Sequence, residues 1–193
     1  IAGWIVGFPI VAGPTLLFYA IEQGTPFTSE AAFKTVVAMF AYCAFALAYA
    51  WLALRFNRWI SLVLAWGVFF LAVALLHRFY FLTLWPTLGL VSLALTITWY
   101  LLPNPQHVWQ AAKHSKWDLL VRMAAASALV FTLTELAYVL GPNWSGLLTP
   151  FPVAASVLIT AAHMHHGFPG AVHVLAGILI GLISFAFFCA LLA

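Results

Sequence analysis

Long apolar runs alternate with short polar clusters along the whole chain. A helix that crosses a bilayer needs about 20 mostly apolar residues. Seven runs approach that length, at about residues 3–21, 31–54, 60–76, 82–102, 119–140, 147–162 and 171–193. The polar stops between them read "EQGTPFTSE", "RFNR", "HR", "PNPQHVWQAAKHSKWD", "GPNWSG" and "HMHHGFPG". The pattern predicts an all-α, polytopic integral membrane bundle, with residues 1–193 as a single membrane domain of about seven transmembrane helices. Pro9 and Pro14 fall inside the first run, and Pro86 lies near the start of the fourth. An internal proline frees a backbone carbonyl and kinks a helix. In a membrane it persists where neighbours satisfy the freed group.

Composition strengthens this picture. The chain has 193 residues, of which 66% are hydrophobic and 6% charged, against about 25% charged in a soluble domain. Too little polar surface is available to cover a soluble fold, and the seven runs leave no length for a soluble domain. The lipid bilayer is the expected solvent and partner. The formal charge of +3 is small and scattered, which excludes nucleic acid as a partner. Cys43 and Cys189 sit within apolar runs and read as small buried residues rather than a disulfide. Arg55, Arg58, Lys113 and Lys116 lie on one set of alternate loops, Lys34 and Arg78 on the other. Basic residues mark the cytoplasmic side, so "EQGTPFTSE" is expected to face outward and "HMHHGFPG" inward. The tryptophans lie mostly near run ends, where indoles anchor at the interface.

Two stretches match across the chain. "AGWIVGFPIVAG" set against "SGLLTPFPVAAS" pairs Gly3 with Gly146, Phe8 with Phe151, Pro9 with Pro152, Ala12 with Ala155 and Gly24 with Gly167, at a constant offset of 143. The following helices align at offset 140, pairing Phe45 with Phe185 and Ala46 with Ala186. The Gly and Phe-Pro matches are read as a duplication; the alternative is a chance likeness of two apolar stretches, which the alanine matches alone would not exclude. Residues 1–76 form the first repeat, 80–102 a linking helix, and 118–193 the second repeat. The first Phe-Pro helix exits outward and the second inward, so the copies are inverted, a recurring plan of small transporters. The register also implies one further helix at each end of the natural protein, with an intact mass above the 21.2 kDa of this chain.

The segment "GLLTPFPVAASVLITAAH" resembles the Gly-x-x-x-x-Phe-Pro segment of GlpM-like proteins, small bacterial inner-membrane proteins of four helices associated with alginate production. The resemblance covers the sixth and seventh runs and, more faintly, the first and second. The family's positions fall on Gly146, Phe151 and Pro152, and in the first copy on Gly3, Phe8 and Pro9. This chain is about twice as long, and its His163 lies further from the Phe-Pro pair. A fused, inverted pair of such units accounts for the doubling. The resemblance implies the bacterial inner membrane and supplies no substrate.

The candidate chemistry is sparse. Glu135 lies within the fifth run, five residues before its end. A charge at the bilayer centre costs roughly 2.5–3.5 kcal/mol on insertion scales. It reads either as a cation or proton site, with a raised pKa if buried, or as a residue reaching water at the outer interface. Glu22 ends the first run and aligns with His165. A carboxylate of one half facing imidazoles of the other would suit an ion-coupled carrier; a solvated loop is the plain alternative. His163, His165, His166 and His173 form the densest polar cluster, and His163 and His166 would share a helix face. His is a common metal ligand, so His163, His165 and His166 are the metal candidates, but no Cys or carboxylate is near and a Gly-Pro break follows. No metal and no cofactor is expected. Asp118 and Arg122 are spaced as an i,i+4 pair. No nucleophile with its base, no phosphate loop and no paired carboxylates occur, so no enzyme is expected.

The expected function is a small transporter or permease with inverted repeats. Pro9, Pro14 and Pro152 would shape its broken helices, and Glu135, Glu22 and His163 would line its path. The rival is an accessory structural subunit of a larger membrane complex. Assembly as a homodimer or within a larger membrane complex fits either.

Overall fold

The computed structural model describes residues 12–77, 83–103 and 116–193. Six helices account for most of them: α1 (Ala12–Glu22), α2 (Thr25–Leu52), α3 (Arg58–Leu76), α4 (Leu84–Leu101), α5 (Lys116–Leu148) and α6 (Val153–Leu192). There is no strand among the described residues. α5 and α6 are each broken once, at Gly141 and Gly167. Four helices are long and apolar enough to cross a membrane: Thr25–Leu52, Arg58–Leu76, Leu84–Leu101 and Val153–Leu192. The expected membrane-helix architecture is therefore present, at the level of four candidate spans among the described residues. Pro9, Gly3 and Phe8 lie outside the described residues, as does most of "PNPQHVWQAAKHSKWD". The Asp118–Arg122 pairing concerns side chains that also lie outside them.

Local chemistry sets the boundaries. Asn57 caps α3, its Oδ1 accepting from the Trp59 and Ile60 backbone N–H groups at 3.1 and 3.0 Å, the usual service of an N-cap side chain. α4 ends because Pro103 follows. The residue before a proline is pushed to extended backbone, and Leu102 adopts φ −61°, ψ 136°. Hydroxyls inside the apolar helices bond back to their own backbone. Thr87 donates to Thr83, Ser92 to Leu88, Thr96 to Ser92 and Thr132 to Ala128, at 2.7–2.9 Å. That satisfies them without a partner from another helix.

Three glycines break the helices in one way. Gly24, Gly141 and Gly167 have φ of 86°, 70° and 65°, with ψ of 169°, 170° and −162°. This region of backbone space is accessible essentially to glycine alone. A proline follows within two residues each time: Pro26, Pro142 and Pro169. Three expected boundaries are corrected. α2 begins at Thr25 rather than near Ala31, because Pro26 occupies its first turn, a position where a missing N–H costs nothing. "GPNWSG" is not a loop, since helix resumes from Pro142 to Leu148. The sixth run begins its helix at Val153 rather than Leu147.

α2 is the central helix and packs against all five others. Phe45, Tyr49, Met39, Ala38 and Ala46 are fully buried on it, against Phe69 of α3, Leu95 of α4 and Ile159, Leu175 and Ile178 of α6. α1 folds back on α2 through Gly24, bringing the Tyr19 and Phe27 rings edge to face at 5.4 Å. Two contacts orient α6 against α2. Near the start of α2, Ser29 Oγ donates to the carbonyl of Ala193, just beyond the end of α6. Near the end of α2, Tyr49 meets His163, four residues before the Gly167 break. The part of α6 after Gly167 thus runs antiparallel to α2. The Gly24 turn and the Gly167 turn lie at opposite ends of the bundle.

The outer faces of α3 and α4 are apolar. Val63, Leu71 and Leu75 of α3 and Trp85, Leu93 and Ile97 of α4 are exposed. In a soluble protein such a surface would associate; in a membrane it faces acyl chains. Cys43 and Cys189 are buried and unpaired in a disulfide.

Candidate functional site

Between the break at Gly141 and the turn at Gly167 the helical chain is interrupted once more. Helix stops at Leu148, and Thr149–Pro152 is irregular before α6 starts. The two prolines of "TPFP" cause this. Pro150 has no N–H for the Gly146 carbonyl, and Pro152 has none for the Leu148 carbonyl. The accounting is completed from elsewhere. Phe151 N–H donates to the Leu148 carbonyl at 3.0 Å. Thr35 Oγ1 of α2 lies 3.1 Å from the Gly146 carbonyl and 2.8 Å from that of Ala31. Buried backbone groups must find such partners, and irregular backbone at membrane depth is tolerated only where protein encloses it. Thr149, Pro150 and Pro152 are all buried.

Gly146 permits the approach of α2. A Cβ there would fall 2.3 Å from the Ala31 carbonyl oxygen and 2.7 Å from Lys34 Cβ. Only a hydrogen fits. Lys34 is consequently covered, at 6% exposure. Its Nζ lies 5.7 Å from the Phe33 ring centroid. Glu30, one turn earlier, accepts from Asn143 Nδ2 at 2.8 Å.

Hydroxyls line the interruption. Thr149 Oγ1 donates to the Ser145 carbonyl at 2.7 Å. Tyr19 of α1 is fully buried beside the Thr149 and Ser145 side chains. Among the described residues neither the Tyr19 hydroxyl nor the Ser145 hydroxyl has hydrogen-bond geometry to a partner. Ser156, one turn into α6, donates to the Pro152 carbonyl and accepts from Trp66 Nε1 at 3.0 Å. Phe151 packs between α3 rings, with centroids 5.5 Å from Trp66, 5.4 Å from Phe69 and 5.1 Å from Phe70. At the end of α3, His77 stacks on Trp144 at 4.3 Å.

A second polar focus lies at the other end. Tyr49 Oη and His163 Nδ1 are 3.1 Å apart, their rings edge to face at 6.1 Å. Tyr49 is fully buried and His163 half-buried, and the Arg58 guanidinium at the start of α3 acts electrostatically on both. His165 is exposed and His166 half-buried, with ring centroids 6.4 Å apart. His173 is exposed beyond the Gly167 break. Among the described residues no three His, Cys, Asp or Glu side chains are grouped to hold a metal ion.

The sequence-derived candidates do not converge. Pro152 forms the N-terminal boundary of α6, within the interruption. Pro14 is exposed in the first turn of α1, and Glu22 is exposed at the end of that helix. Glu22 does not face the histidines: the Gly24 and Gly167 turns lie at opposite ends of α2, about 30 Å apart for the 20 residues between Ser29 and Tyr49. Glu135 is exposed on α5. Sequence reasoning missed Lys34, Tyr19, Tyr49 and Ser145. Lys34 counts among the loop cations in the sequence reading although the run 31–54 contains it; the structure buries it in α2. No family model, curated protein or solved structure matches this chain.

Proposed function

We propose that the chain is a small membrane carrier built from two inverted helical hairpins. The observation that carries this is the placement of two like glycine turns, Gly24 and Gly167, at opposite ends of α2. The proposed path has seven passes: the first ending in α1, then α2, α3, α4, α5 up to Gly141, the interrupted pass from Pro142 to His166, and the remainder of α6; the start of the first pass lies outside the described residues. The interrupted pass is the proposed substrate site. Carriers with inverted repeats bind near the midplane, at helices whose backbone is broken. Here Pro150 and Pro152 break it, and Ser145, Thr149, Ser156 and Tyr19 supply hydroxyls. A site of hydroxyls and aromatic rings beside the covered Lys34, without a described buried carboxylate, suits a polar solute. Tyr49 and His163 close the end of the pass nearer Arg58. The bacterial inner membrane is the proposed location, on the resemblance of the Phe-Pro segment.

Solvent access at the interruption tests this without knowing the solute. In a chain with Cys43 and Cys189 replaced by alanine, Thr149→Cys is reacted with a small membrane-impermeant thiol reagent. Alternating access predicts modification in both right-side-out and everted vesicles. Modification from neither side refutes the carrier.

A second reading, an accessory subunit of a membrane complex, is favoured by the outward face of α5, where Glu135, Phe131 and Tyr138 are all exposed. The thiol introduced at position 149 would then stay unmodified from both sides.

A further inference from the structure

The turn between α2 and α3, in the stretch "WLALRFNRWI" at residues 51–60, gathers charge and aromatic surface at one end of the bundle. Trp51, Leu54, Phe56, Trp59 and Ile60 are exposed. Arg55 is exposed and Arg58 half-buried. Hydrogen bonds fix the backbone that joins the two helices. Ala53 N–H donates to the Tyr49 carbonyl, and the Arg55 and Phe56 N–H groups both donate to the Leu52 carbonyl, each at 2.9 Å. Asn57 then caps α3. The two arginines are thus held three positions apart, with no more than about 11 Å between their Cα atoms. The Arg58 guanidinium carbon lies 5.5 Å from the Trp59 ring centroid, within cation–π range. Among the described residues neither arginine has an ion-pair partner, and Glu22 and Glu30 stand at the Gly24 end of the bundle.

Helix length sets the depth of this turn. α3 has 19 residues and is about 28 Å long, close to the roughly 30 Å thickness of a bilayer's hydrocarbon core. With α3 across the bilayer, its first residue, Arg58, falls at the headgroup boundary. Indole rings favour that level, and Trp51 and Trp59 are each open over more than half of their surface. Guanidinium groups present a planar fork of donors that matches phosphate oxygens. We propose that the α2–α3 turn binds the headgroup of an anionic phospholipid, with Arg55 and Arg58 on its phosphate and Phe56 and Trp59 against its glycerol and upper acyl chains. The occupant follows from the charge and from the rings together. A soluble anion would meet the two arginines and leave the aromatic surface uncovered. A zwitterionic lipid brings its own cation beside the phosphate, which opposes the arginines; an anionic lipid does not. Arg58 also acts electrostatically on Tyr49 and His163, so the lipid lies beside that pair. The inference rests on α3 lying in the bilayer and holds for a carrier and for a subunit alike.

The test titrates the purified full chain in detergent with phosphatidylglycerol, with phosphatidylcholine and with inorganic phosphate, and reads bound molecules by native mass spectrometry. Phosphatidylglycerol should bind about 25-fold more tightly than phosphatidylcholine, about fivefold from each arginine. Arg55→Gln and Arg58→Gln should each lose about fivefold, and the double variant should bind the two lipids equally. Arg55→Lys, which keeps the charge, should stay within about twofold of the parent. A second measurement needs no variant: phosphatidylglycerol carrying a photoreactive headgroup, in nanodiscs, should label the parent chain within residues 51–60. Equal binding of the two lipids by the parent, a preference undiminished in the double variant, or labelling confined to other segments overturns the proposal. Inorganic phosphate bound as tightly as phosphatidylglycerol overturns the lipid as occupant. The carrier reading stands or falls separately, on modification of the Thr149→Cys variant.

Discussion

Gly24 and Gly167 lie 143 positions apart and hold the same backbone conformation, φ 86°, ψ 169° and φ 65°, ψ −162°. Each stands two residues before a proline, and a Cβ on either would lie 3.8 Å from that proline's Cδ. The neighbouring atoms therefore leave room for a side chain; the backbone angle does not. Both glycines are needed for conformation rather than for space.

Gly24→Ala and Gly167→Ala should each destabilise the protein by about 1–3 kcal/mol, the cost of holding an L-residue in that region. Gly89→Ala, on the surface of α4 where a Cβ meets nothing within 4 Å, should cost nothing. Unfolding of the purified variants in mixed detergent micelles measures all three. Equal behaviour of the three variants would contradict the assignment.

Gly146 is the opposite case, required for space. A Cβ 2.3 Å from the Ala31 carbonyl oxygen has rigid backbone to displace, so Gly146→Ala should cost about 3 kcal/mol, the upper end for overpacking. Gly146→Ser should be no better. A thermal midpoint unchanged from the parent would show that α2 and the segment after Gly141 are further apart than described.

Thr35 stands in for the N–H that Pro150 lacks. Thr35→Val should cost about 0.6–1.7 kcal/mol, the range for side-chain hydrogen bonds inside a membrane protein. In a Pro150→Ala background the same change should cost less, because the backbone N–H restored at position 150 can serve the Gly146 carbonyl. A double-mutant cycle reads the coupling; strict additivity would mean that the hydroxyl serves the Ala31 carbonyl alone.

Tyr49 and His163 are 114 residues apart in sequence and 3.1 Å apart in space. Tyr49→Phe and His163→Leu should each destabilise by about 1 kcal/mol, and together by less than the sum. Denaturation of the three variants checks this. Additive losses would place the two groups out of contact.

How much of this was legible follows from the kind of signal each feature carries. Helices announce themselves by length of apolar run, so α2, α3 and α4 are expected within a few residues, apart from the start of α2. There, "EQGTPFTSE" looks like a polar stop, whereas a single glycine turns the chain and Pro26 opens the next helix at once. The Gly24–Gly167 match is visible because glycine and proline carry backbone information at fixed positions. The facing of α5 is not legible: a helix apolar on nearly all sides offers no polar stripe to tell core from surface. Pairings such as Tyr49–His163 and Trp66–Ser156 depend on which helices become neighbours, and no local pattern encodes that.

The central claim is that the two hairpins are mounted in opposite senses across the bilayer. Glu22 and His165, each exposed and each two residues before its glycine turn, report on it directly. With Cys43 and Cys189 replaced, Glu22→Cys and His165→Cys are labelled with a membrane-impermeant thiol reagent in right-side-out and in everted vesicles. The inverted arrangement predicts that the thiol at position 22 is labelled only in one preparation and the thiol at position 165 only in the other. Labelling of both from the same side would contradict it.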